Sequence, residues 1–361
     1  MSPFFDHGGN IFTMARHLGI SAAGIADFSA SINPLGLSPA VKAAIIDSLE
    51  SLVHYPDAGH HELKQALAAF HGLSPATMVV ANGSTELIYR LPGLLKGRRA
   101  LIVSPAFSEY GHALAQHHWE AQPFILTAKD DFALDLEALE RVLSEGYDAL
   151  YLCNPGNPSG QLYPLAVVEQ VYRLCRVNGT FLVLDEAFMD FCEEASAKQL
   201  ITAGDNAVVL RSMTKFFAIP GLRLGYAIAN EAVATRLDAA GGPWNVNTLA
   251  QVAGMAAIRD TEYIRQTREF IRQERAYLVE QLSRFPMLTA YPSDANFLLV
   301  QITNGMSAGE LKERLLPDRM LIRDCGNFVG LSPHFFRIAV RTREENERLL
   351  GCLERILNEG G

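Results

Sequence analysis

The chain has 361 residues, 49% of them hydrophobic and 20% charged, enough for a large core and too many for one compact unit, so two domains are expected. A formal net charge of -9, with acidic and basic residues interspersed, offers no basic face to a nucleic-acid backbone. The N-terminus "MSPFFDHGGN" does not read as a secretory leader, no run approaches the length of a membrane span, and five scattered cysteines without C-x-x-C argue against disulfides or zinc, so a cytoplasmic protein with reduced thiols is expected.

In chain order, short aliphatic or β-branched runs alternate with amphipathic stretches: "TMVVANG", "RALIVSP", "YDALYLCNP", "GTFLVLDEAF", "NAVVLRS" and "RLGYAIAN". Apolar on both faces, these read as strands of a mostly parallel sheet covered by helices on both sides, giving an α/β large domain. Near Gly242-Pro243 the rhythm stops. The segment "LAQVAGMAAIRDTEYIRQTREFIRQERAYLVEQLSRF" reads as a long helical stretch joining two domains. Beyond it, "LTAYPSDANFLLVQI" and "FFRIAVRT" read as strands, and "SAGELKERLL" and "REENERLLGCLERIL" as helices, of a smaller α+β C-terminal domain. The expected division is an N-terminal arm over 1–35, a large domain over 36–245, and an interdomain helix with the small domain over 246–361.

Ligands of such sheets sit beyond the carboxyl ends of the strands, and the polar residues there line up: Ser84 and Thr85, Phe107, Asn157, Asp185, Ser212 and Lys215. A lysine, an aspartate ending a buried strand, an asparagine in a turn, and a glycine-led helix start with a later arginine suit pyridoxal phosphate. Lys215 can form a Schiff base with the aldehyde, and Asp185 can keep the pyridine nitrogen protonated so that the ring withdraws electrons. Asn157 can donate to the phenolic oxygen. Ser84 and Thr85 begin a helix whose N–H groups favour a phosphate, with Ser212 and Arg223 completing a cup, and Phe107 can stack on the ring. Taken singly, each has a plainer reading: a turn aspartate, an ordinary helix cap, a core aromatic.

The ordered set "HYPD", "NGSTE", "NPGNPSG", "DEAF", "SMTK" and "GLRLGY" resembles the fold type I, aspartate-aminotransferase-like enzymes of pyridoxal phosphate over nearly the whole chain. More narrowly it resembles the histidinol-phosphate aminotransferase group, including the threonine-phosphate decarboxylases of cobalamin synthesis. The resemblance implies that Lys215 is the Schiff-base lysine, Asp185 the pyridinium partner and Asn157 the donor to the ring oxygen. Thr85, Ser212 and Arg223 match the phosphate cup, and Phe107 the stacking aromatic. Tyr55 matches a residue reaching the cofactor phosphate of a neighbouring subunit, which implies a homodimer with shared active sites. Phe188 stands where many of these aminotransferases carry a tyrosine that donates to the ring oxygen.

"DHGGN", "DFSASINPLG", "LIRDCGNFVGL" and "FFRIAVR" resemble the decarboxylases specifically. Arg337 then matches the carboxylate-binding residue, and Arg323 with the His7-Gly8 arm matches contacts to the substrate's anionic groups. Ser31 replaces an asparagine of that subfamily, with Asn33 a neighbour, and Arg341 is a third arginine without an assigned role. The expected reaction is decarboxylation of a phosphorylated amino acid, L-threonine O-3-phosphate, with a histidinol-phosphate-type aminotransferase as the alternative. A nicotinamide dehydrogenase is unsupported, because no G-x-G-x-x-G follows a strand.

Overall fold

A computed structural model describes residues 7–358. In chain order its strands are β1 (Ala26–Asp27), β2 (Met78–Ala81), β3 (Arg99–Ser104), β4 (Glu120–Ile125), β5 (Ala149–Cys153), β6 (Phe181–Asp185), β7 (Ala207–Ser212) and β8 (Gly225–Ile228). After a helical stretch come β9 (Leu288–Ala290), β10 (Phe297–Ile302), β11 (Met320–Leu321), β12 (Arg323–Asp324) and β13 (Phe335–Ala339).

The large sheet has the order β2-β8-β7-β6-β5-β3-β4, parallel except for β8, which runs antiparallel to both its neighbours. Its central strands β5 and β7 are buried at every residue, the result of apolar side chains on both faces and helical layers on both sides. The edge strand β4 was not expected from the sequence. Its residues alternate between exposed and half-buried and include Pro123, a pattern suited to an edge and easily read as loop.

The helical stretch after Gly242 is two helices, Thr248–Arg259 and Thr261–Leu282, rather than one. Asp260 divides them, its carboxylate accepting the Tyr263 N–H at 3.1 Å as an N-cap. A single-residue break leaves the apolar periodicity almost in phase, so the pattern alone reads as continuous.

The small antiparallel sheet has the order β12-β13-β10-β9 and buries Leu298, Val300, Phe336 and Ile338 against the helices Ala308–Leu315 and Arg343–Asn358. The start of the chain joins this unit. β1 pairs in parallel with β11, Ala26 opposite Met320, and the Phe28 carbonyl accepts from the Ala339 N–H at 2.8 Å.

Behind the ends of β6 and β7 lies a wholly buried guanidinium. Arg211 donates to Glu186 at 3.1 Å and to Asp190 at 2.8 Å, and also to Glu193. His71 and Tyr226 share a 2.7 Å hydrogen bond beside it.

Candidate active site

The carboxyl ends of the strands, the N-terminal arm and the small sheet enclose a cavity of about 590 Å³. Lys215 enters it from the short helix Met213–Phe216 that follows β7. Asn33 braces this turn: its N–H donates to the Lys215 carbonyl at 3.0 Å and its side-chain amide to the Phe216 carbonyl at 2.8 Å. Burial pushes the Lys215 ammonium down to about 8, Asp185 opposes the shift, and Arg223 and Arg337 reinforce it. The amine is therefore easily deprotonated, as a carbonyl-attacking lysine requires.

Asp185 ends β6 with both carboxylate oxygens engaged. The Tyr110 hydroxyl donates to one at 2.6 Å and the Ala187 N–H to the other at 2.9 Å. Burial pushes this carboxyl up, while the Tyr110 and Ala187 hydrogen bonds and the Lys215 charge pull it back. Lone pairs on both oxygens remain for a cationic N–H.

The helix Ser84–Leu94 starts in the cavity wall, and a backbone turn at Gly83 opens it. Gly83 has φ of 81°, and a Cβ there would lie 2.6 Å from Arg223 Nη2, so backbone and guanidinium approach more closely than any other residue would allow. The first N–H groups of the helix and Arg223 thus form a cradle for an anion. Ser212 lies behind it, sharing a 2.8 Å hydrogen bond with Thr214 and accepting from Lys215 Nζ at 3.3 Å.

On the other side, Arg337 is buried and burial pushes its guanidinium down to about 10. It donates to Asn157 Oδ1 and, at 3.1 Å, to the Ser29 carbonyl, packs over the Phe297 ring, and has an Nε without a partner among the described residues. With Asn157 Oδ1 accepting, the amide N–H groups of Asn157 remain for an acceptor in the cavity. Arg323 reaches the cavity while donating to the Asp324 carbonyl at 2.6 Å and Asn327 Oδ1 at 2.8 Å. The arm packs tightly here: a Cβ on Gly8 would lie 2.0 Å from the Ser29 carbonyl oxygen. The buried Ser31 hydroxyl has no partner among the described residues.

The cavity thus brings together His7, Gly8, Ser31, Ser84, Thr85, Phe107, Asn157, Asp185, Lys215, Arg223, Arg323 and Arg337. Three residues stand apart. Ser212 is behind the lysine rather than in the wall, and Arg341 pairs with Glu345 at 2.6 Å. Tyr55 is 79% exposed and stacks on Trp244, so within one chain it contributes nothing to the cavity. Sequence reasoning missed Tyr110 as the partner of Asp185 and Thr214 as a lining residue. The available signal for Tyr110 was its place in the first turn after a strand end, where side chains face the crevice.

A buried lysine, a doubly hydrogen-bonded aspartate and a cradle that a Cβ would fill are the elements pyridoxal phosphate requires, and the residues present fit it. The chain belongs to the aminotransferase class I and II family, which it matches over residues 23–353, and its cofactor is pyridoxal 5'-phosphate. It is 41% identical to the threonine-phosphate decarboxylase of Salmonella typhimurium over 97% of this chain and 96% of that one. Among solved structures, the histidinol-phosphate aminotransferase from Clostridium acetobutylicum superposes with a TM-score of 0.87 at 29% identity, covering 93% of this chain and 100% of the other. The L-threonine-O-3-phosphate decarboxylase from Porphyromonas gingivalis gives 0.80 at 29%, covering 92% and 100%.

Proposed function

We propose that the chain decarboxylates L-threonine O-3-phosphate to (R)-1-amino-2-propanol O-2-phosphate and carbon dioxide for cobalamin synthesis, as a cytoplasmic homodimer. The observation that carries this reading is the placement of Arg323, Arg337 and the His7-Gly8 arm in one cavity with Lys215 and Asp185. That side suits a small substrate bearing both a carboxylate and a phosphate. The 41% identical decarboxylase supports the same reading.

Pyridoxal phosphate, when bound, supplies an aldehyde for Lys215 and a ring that withdraws the electron pair left when a bond at Cα breaks. Asp185, held by Tyr110 and Ala187, would keep a proton on the ring nitrogen. Ser84, Thr85 and Arg223 would hold the cofactor phosphate, with Ser212 behind them hydrogen-bonded to Thr214 and Lys215, while Asn157 would donate to the ring oxygen and Phe107 would cover a ring face. Phe188, packed edge-on against Phe297, has no donor to offer, so Asn157 serves that oxygen without it.

Substrate orientation selects the reaction. Arg337 would hold the substrate carboxylate while His7 and Arg323 would hold its phosphate, an orientation that would favour breaking the bond between Cα and the carboxylate. Its electron pair stays with Cα as carbon dioxide leaves, and Lys215 returns a proton to that carbon. In this scheme the site draws on all three expected segments, the arm, the large domain and the small one.

The deciding experiment supplies carboxyl-labelled phosphothreonine without an oxo acid and, separately, histidinol phosphate with 2-oxoglutarate. Labelled carbon dioxide from the first and no glutamate from the second is the expected result. Glutamate without label release would make the protein a histidinol-phosphate-type aminotransferase.

A further inference from the structure

Glu109 opens the helix Glu109–Gln116 beyond β3 and has no part in the scheme above. Its side chain is only 14% exposed and serves as the acceptor for three donors. Oε1 accepts from His7 Nε2 at 2.9 Å and His112 Nδ1 at 3.2 Å, and Oε2 accepts from the Tyr89 hydroxyl at 2.5 Å. Burial works to raise this carboxyl, but the Tyr89, His112 and His7 contacts outweigh it and hold Glu109 below the usual range. Tyr89, pushed up to about 12 by burial and by Glu109, remains a donor. His7 is the arm's outermost described residue, and its ring lies 5.5 Å from that of Phe107, centre to centre, in the cavity wall.

We propose that Glu109 is a positioning residue for substrate phosphate: it fastens the arm to the large domain through His7 Nε2 and fixes which face of the imidazole meets the substrate. A carboxylate only accepts, so Nε2 must carry a hydrogen, and Nδ1, which needs a hydrogen of its own to donate to a phosphate oxygen, is the ring nitrogen left for the substrate. Fixing the ring before substrate arrives removes the ordering that a free arm would undergo on binding. Tyr89 and His112 hold the carboxylate in turn, so the clamp is anchored at two points outside the cavity wall.

The inference rests on the decarboxylase reading, and the test separates the two. Carbon dioxide release by the wild-type holoenzyme tests that reading alone. Glu109→Gln keeps the side chain's shape and removes its charge, and should raise KM for phosphothreonine about tenfold with kcat within about twofold, the difference between charge-assisted and neutral hydrogen bonding. In a His7→Ala background the same change should move KM less than about twofold, because the two residues act through one bond. A role confined to holding the helix would raise KM equally in both backgrounds, and that result, or an unchanged KM, overturns the inference. Should Glu109→Gln not fold, Glu109→Asp keeps the charge and withdraws it from His7, with the same expected outcomes. Amide exchange over residues 8–18 of the holoenzyme needs no substrate: it should speed up in either variant, and equal exchange in variant and wild type overturns the inference whatever the enzyme's substrate.

Discussion

Lys215 illustrates what one functional side chain costs its fold. Its ammonium leaves water, where it titrates at 10.5, for a site where burial brings it down to about 8. In the cofactor-free protein the unfolded chain therefore holds more protons than the folded one between these values, and stability rises with pH across that window. Below pH 8 the full cost applies, about 3 kcal/mol at 1.36 kcal/mol per unit. Lys215→Met should shift the urea midpoint of the cofactor-free protein upward at pH 7, reduced by the cationic neighbour that Asp185 loses. The gap to wild type should close toward pH 10.5; a gap equal at both ends would show that Lys215 is not depressed. At this scale the sequence was most readable where a residue's type and its place at a strand end agreed, as for Lys215, Asp185, Asn157 and Arg223. Glu109 and Tyr110 were missed because charged or phenolic residues in a first helical turn are common caps and core residues, a plainer reading that outweighs their place after a strand end. Arg341, which the sequence left without a role, gives its charge to Glu345 four residues on.

Among elements, β6 and β7 carry the heaviest electrostatic burden, since Arg211 gathers Glu186, Asp190 and Glu193 inside the protein. Removing Arg211 takes the cation from buried Glu186 and Asp190 and leaves Glu193 to Lys198, whereas removing one carboxylate leaves Arg211 two partners. Arg211→Met should destabilise by about 3–5 kcal/mol and Glu186→Gln by less than half as much, read from urea midpoints of the holoenzyme. Equal losses would mean that the cluster does not act as a shared charge. The central strands were visible in the sequence because doubly buried strands are apolar throughout, and β5, β6 and β7 are bounded by turns. β4 escaped because an edge strand with a solvated face and a proline lacks that run. The break at Asp260 escaped because a polar cap inside a polar helix face is unremarkable until its hydrogen bond to Tyr263 is seen.

For the whole molecule, Tyr55 directs attention beyond one chain. It lies at the end of a stretch from Leu35 to Tyr55 that exposes Leu35, Leu37, Ile46, Leu49, Leu52 and Val53, and clustered exposed apolar side chains mark interaction surfaces. We propose that this surface joins two copies and brings Tyr55 to the partner's cofactor phosphate. Mixing Tyr55→Phe chains with Lys215→Ala chains should then restore activity above either parent, because each mixed dimer has one intact site and one carrying both defects. No recovery in verified mixed dimers would exclude the sharing. The pairing of β1 with β11 has a consequence for the order of synthesis. On the ribosome, Ala26 emerges almost three hundred residues before Met320, its partner in the pair, and the docking of the arm through β1 waits until Met320 has been made. The central sheet, complete at Ile228, can collapse early around a gaping site. Competence to bind substrate is thus a late event of biogenesis, and a nascent chain released before Met320 lacks the strand that docks its own beginning.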